Sequence, residues 1–94
     1  MFIILLSYTK PFSEVAEHLP AHRQFLDRCY EQGMFVCSGA QIPREGGVIL
    51  CRAGSRAEVE RLVAEDPFIV EGVAVGRIVE FETMQYAPGF EQFL

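Results

Sequence analysis

The sequence is short of basic residues: eight Lys and Arg stand against thirteen Asp and Glu, a net charge of −5 at neutral pH. They form no patch large enough to hold a phosphate backbone, which argues against a nucleic-acid partner. There is no apolar run near the ~20 residues that a transmembrane helix needs, so no membrane partner is expected. The opening Met1–Leu6 is apolar but lacks a positive flank, a long apolar core and a small-residue cleavage site. It reads poorly as a secretory signal, and a cytoplasmic location is the expectation. Cysteine is scarce too. Cys29, Cys37 and Cys51 are odd in number and share no C-x-x-C spacing, which disfavours a disulfide framework and a zinc site and leaves reduced, buried thiols. No internal repeat, linker or low-complexity stretch interrupts the chain.

Apolar residues are abundant. Half of the 94 residues are hydrophobic. This length makes a single domain, 1–94, with a core of about 1–82 and a tail from Thr83 to Leu94. A chain this short buries only about two-thirds of its unfolded surface when it folds alone. The apolar surplus therefore points to self-association.

Phe2–Tyr8 reads as a strand buried on both faces, closed by Lys10-Pro11. A helical segment is expected from Ser13, a candidate cap, to Gln32, with a break near His18–Pro20 and Gly33 as its stop. At about 100° per residue Val15, Leu19, His22, Leu26, Cys29 and Tyr30 share one arc, and Arg23, Gln24, Asp27 and Arg28 lie opposite. Phe35–Gln41 is a second strand, where Gly39 hints at a bulge or a close approach. It returns through a turn at Pro43–Gly47 into Val48–Arg52. Ser55-Arg56-Ala57-Glu58 is a capping box opening a helix that Pro67 ends. Val73–Glu82 is the last strand, and Phe90 and Phe93 in the tail are available to dock on a partner.

The order strand, helix, strand, strand, helix, strand predicts an α+β fold, the ferredoxin-like βαββαβ arrangement. Its four-stranded antiparallel sheet carries both helices on one face. The other face stays apolar, and a second copy of the chain is the expected cover, giving a homodimer. In this topology the start of the first helix and the end of the second share one edge of the sheet. His22 and Asp66, each inward on its helix, should therefore meet there, near Tyr8, Ser38 and Gly39. A carboxylate at a helix C-terminus opposes the macrodipole, so Asp66 needs a donor. An Asp accepting from one imidazole nitrogen would fix the tautomer and free the other nitrogen for proton transfer. The competing reading is structural: an inward His is usually a hydrogen-bonded core residue, and Asp before Pro is a common helix stop. Arg44 and Arg77 are candidates for holding an anionic substrate. Ser38 is a pocket donor and not a nucleophile, since no G-x-S-x-G elbow surrounds it.

At these residues the chain resembles the YciI-like (YCII-related) family of small bacterial proteins. The matching pieces are P-A-H at Pro20–His22, E-Q-G at Glu31–Gly33, S-G-A at Ser38–Ala40, G-G-V-I at Gly46–Ile49 and D-P-F-I-V-E-G at Asp66–Gly72. The resemblance implies a dimeric α/β barrel with a His–Asp site, here His22 and Asp66. Relatives include a dehydrochlorinase acting on a chlorinated hydroquinone, and the fold is similar to that of muconolactone isomerases. This chain departs at Leu19, where relatives often carry Arg, and at Ala40-Gln41, where Gly-Pro is usual. The reading that follows is a cofactor-independent enzyme with no metal, using acid–base chemistry on a small cyclic or aromatic metabolite. The alternative is a non-catalytic dimeric module that binds a ligand or assembles with a partner.

Overall fold

The apolar run Phe2–Tyr8 forms strand β1, central in the sheet of the computed structural model, which describes all 94 residues. Helices α1 (Phe12–Ala16) and α2 (Leu19–Glu31) follow, then β2 (Phe35–Ala40) and β3 (Gly46–Cys51). Next come α3 (Arg56–Ala64), the single turn α4 (Pro67–Val70) and β4 (Ala74–Glu80). The strand order is β2-β3-β1-β4 with every pair antiparallel, the α+β topology expected from the element order. The pleat sets the layers. Phe2, Ile4 and Leu6 are buried under the helices against Phe25, Cys29 and Val59. Ile3 and Leu5 point to the other face and are only half-buried, so β1 is sealed on one side and not on both.

The expected helix break is present, with Pro20 in the first turn of α2, where its missing N–H is harmless. Ser13 is no cap: Pro11 occupies that position and no side chain caps α1. The capping box of α3 is present in modified form. Ser55 accepts from the Glu58 N–H at 3.2 Å, while the Glu58 carboxylate accepts from Gly54 N–H, one residue before the cap. Gly39 marks neither bulge nor close approach, since a Cβ there would meet nothing within 4 Å. The register slips earlier, between Phe35 and Cys37. The close approach belongs to Gly46, where a Cβ would fall 1.7 Å from the Leu6 carbonyl oxygen, so only glycine lets β3 begin against β1. β2 stops at Ala40, and the Gln41 side chain donates to the Leu6 and Gly47 carbonyls at the sheet's end. Val75, Arg77 and Val79 share the open face with Ile3 and Leu5 by register, whereas Val73 precedes β4 and is buried.

The tail runs past the far end of the sheet. Phe81 N–H donates to the Met1 carbonyl, and Arg52 bridges the Gly33 and Gln92 carbonyls. Tyr8 and Gly46 lie at the opposite end, so the tail does not cover the cleft of its own chain.

All three cysteines are free; Cys29 and Cys51 are buried, while Cys37 is exposed. Burial pushes both buried thiols from the ordinary 9.0 up to about 11, with smaller contributions from neighbouring carboxylates and, for Cys51, from Cys29. A folded-state value above the unfolded one leaves stability intact below pH 9 and removes it between about 9 and 11. Each thiol should withdraw about 1 kcal/mol by pH 10. Urea midpoints measured from pH 8 to 11 should therefore fall less steeply in the Cys29→Ala, Cys51→Ala double variant than in the parent.

Candidate functional site

Two stripes of α2 meet at one residue. Phe25 and Cys29 drop onto the sheet and are buried, while Leu19, Arg23 and Leu26 face a cleft at the end of β1, β2 and β3. At about 100° per residue the stripes are adjacent, and His22 falls on their boundary. It is 8% exposed, packed inward, and still lines the cleft. The buried stripe is thus turned by about 60° from the arc read off the sequence. Phe25 is in it, and Tyr30 is exposed.

Asp66 reaches His22 from the other side. Its position differs from the expected helix end: α3 stops at Ala64, and Asp66 is instead the N-cap of α4, with Pro67 at the first position. Its Oδ1 accepts from Phe68 N–H at 2.9 Å and from His22 Nδ1–H at 2.8 Å. A carboxylate 1% exposed is tolerable only with such donors. As a cap it also sits at the favourable end of a helix, so the expected clash with the macrodipole is absent.

The bond fixes the imidazole. An ionised carboxylate only accepts, so Nδ1 carries the proton in the neutral ring and Nε2 carries the lone pair. Nε2 has no partner within the chain, and no buried polar side-chain atom lacks one, so Nε2 is open to the cleft. Phe68 locks the ring's plane: the two rings stack with centroids 3.9 Å apart and planes 7° from parallel. Tyr8 in turn meets Phe68 edge-on at 6.0 Å. The imidazole is held by a hydrogen bond at one edge and an aromatic wall on one face.

The cleft encloses about 240 Å³. Tyr8, Ser38, Gly39 and Arg44 line it with His22. Asp66 does not line it and stands behind the ring. The Ser38 hydroxyl is already paired with Tyr30 Oη at 2.6 Å, which leaves it less free as a donor. Arg44 holds its guanidinium 4.6 Å over the Phe12 ring. Arg77 lies on the open sheet face, away from the cleft. Arg23, assigned to the solvated side by the helical arc, is a cleft residue. The signal for it was the i, i+3, i+4, i+7 set Leu19, His22, Arg23, Leu26, which is one helix face. The chain brings no three His, Cys, Asp or Glu side chains together in a way that could hold a metal ion.

No curated protein matches the chain. Among solved structures it is similar to 5-chloro-2-hydroxyhydroquinone dehydrochlorinase (TftG) from Burkholderia phenoliruptrix AC1100, in complex with 2,5-dihydroxybenzoquinone. The TM-score is 0.72 with 17% identity, over 87% of this chain and 94% of that one. At that identity the likeness is one of fold. The family model of the YCII-related domain matches residues 1–82, the span that holds β1 to β4 and both members of the His–Asp contact, and the chain belongs to that family.

Proposed function

We propose that the protein is a cofactor-independent enzyme that uses His22 as an acid–base group on a small cyclic or aromatic metabolite. The observation that carries this reading is the buried 2.8 Å contact between Asp66 and His22 Nδ1, which leaves Nε2 facing a cleft. Nε2 takes a proton from a ring C–H or O–H, and the electron pair left behind forms a new double bond. It either expels a leaving group or shifts along the ring, giving elimination or isomerisation. The imidazolium then returns the proton to the product or to water. Asp66 holds the ring in one tautomer and stabilises its positive charge while it lasts. At about 240 Å³ the cleft falls below the ~300–1,000 Å³ common for drug-sized ligands. That favours a single ring, and the ligand of the TftG structure is one.

The same reading gives the apolar sheet face a second copy of the chain. Ile3, Leu5, Val48, Leu50, Val75 and Val79 line that face, half-buried or exposed in one chain. Light scattering on the purified protein should return twice the 10.6 kDa chain mass.

The functional test is a panel of hydroxyquinones, lactones and chlorinated phenols, followed by absorbance and released chloride. Turnover of at least one ring substrate is expected. Ligands that shift the His22 resonances without any turnover would favour a binding module instead.

A further inference from the structure

Acidic residues outnumber basic ones thirteen to eight in this chain, yet the cleft wall has the opposite sign. Arg23 and Arg44 line it, and no Asp or Glu does. Asp66 is screened from it by the imidazole, with Oδ1 taken by two donors. Neither arginine is neutralised. The chain's ion pairs are His22–Asp66 and Arg56–Glu60, and the arginines that donate hydrogen bonds within it are Arg52 and Arg56. Arg44 is placed at the cleft by the Phe12 ring beneath it, a contact that orients the guanidinium without using its N–H groups. Arg23 directly follows His22 on α2, between the apolar Leu19 and Leu26. The result is a small concave site with two unspent guanidiniums, an apolar lining and an open imidazole nitrogen. On a protein of net charge −5 such a site focuses a local positive potential against the overall field.

We propose that Arg23 and Arg44 are specificity residues that select a planar organic anion, a ring bearing a carboxylate or an ionised ring oxygen. The anionic oxygens take the guanidinium N–H groups, a geometry that suits planar oxyanions. The ring lies among Leu19, Leu26 and Ile49. This deepens the acid–base reading of the same cleft and rests on it for its chemical purpose. Charge pushed onto a ring oxygen when His22 removes a proton is stabilised by the same two cations.

The test uses benzoate and benzamide, rings of one shape that differ in charge, titrated into the full chain by calorimetry and NMR at low ionic strength. Benzoate is expected to bind about tenfold more tightly than benzamide, as one charge-assisted contact implies. Arg23→Gln and Arg44→Gln should each remove most of that preference, weakening benzoate binding far more than benzamide binding. Arg23→Lys should restore part of it, and about 0.5 M salt should shrink it in the parent. Equal affinity for the two probes, or benzoate binding indifferent to both glutamine variants, overturns the proposal. Arginine-dependent benzoate binding with no turnover of any ring substrate would overturn the acid–base reading alone. Turnover without arginine dependence would overturn this inference alone.

Discussion

His22→Gln is expected to lower turnover of any substrate by roughly 10²–10⁴-fold, the usual contribution of a positioned acid–base group. Glutamine can still donate to Asp66, so the fold should survive and the loss can be read as chemistry. Asp66→Asn should lower turnover almost as far with little change in melting temperature. An asparagine Oδ1 can keep accepting from both Phe68 N–H and His22 Nδ1–H, the two donors that now share one carboxylate oxygen. What disappears is the negative charge that stabilises the imidazolium. Asp66→Ala behaves differently. It removes the cap of α4, worth about 1 kcal/mol, and leaves a buried imidazole N–H without a partner, at about 1–3 kcal/mol more. Its unfolding free energy should drop by a total of about 2–4 kcal/mol. Comparing asparagine with alanine at one position separates the two roles of Asp66. Parental turnover in His22→Gln would remove the basis for the catalytic reading, and parental turnover in Asp66→Asn would reduce the carboxylate to a structural element.

The His22–Asp66 meeting was legible before any coordinates because it needs only a helical period and a strand order. The period turns His22 inward, and the order puts the end of the second helix at the same edge of the sheet, where Asp66 follows it as the cap of α4. What the pattern could not resolve is the division of one helix face between core and cleft. Phe25, which seals the sheet, and Arg23, which opens onto the cleft, lie about 160° apart on α2 on either side of His22, and the tilt of the helix over the strands decides which flank meets the core and which meets the cleft. Asp66-Pro67 was ambiguous for a local reason. Proline cannot continue a helix, but it is equally at home in the first turn of the next, and the chain uses it in the second way. A motif read as a stop is also a start, and the carboxylate that seemed misplaced at a helix end is a cap. Gly39 and Gly46 show the same limit: both are glycines at the cleft end of the hairpin, and only β1 lying against Gly46 distinguishes them.

Phe68→Ala should be among the most damaging changes in the core and should also impair the site. The side chain is 2% exposed, and removing a buried phenyl group typically costs about 3–5 kcal/mol through lost transfer energy and the cavity left behind. The cavity here would open beside the imidazole, because Phe68 supplies the face on which His22 stacks at 3.9 Å. Phe68→Leu fills much of that volume without offering a flat surface. It should recover most of the stability while the ring of His22 gains freedom to rotate about its bond to Asp66. Turnover in the leucine variant is therefore expected to fall by about tenfold, at a stability close to the parent's, because misorienting a reacting group by small amounts is costly. Urea denaturation gives the first quantity, and kcat on the best substrate of the panel gives the second. Full activity in a stably folded Phe68→Leu would show that Asp66 alone holds the imidazole and that the aromatic wall serves packing only. Loss of both together in leucine and alanine alike would mean that the site and the core cannot be perturbed separately at this position.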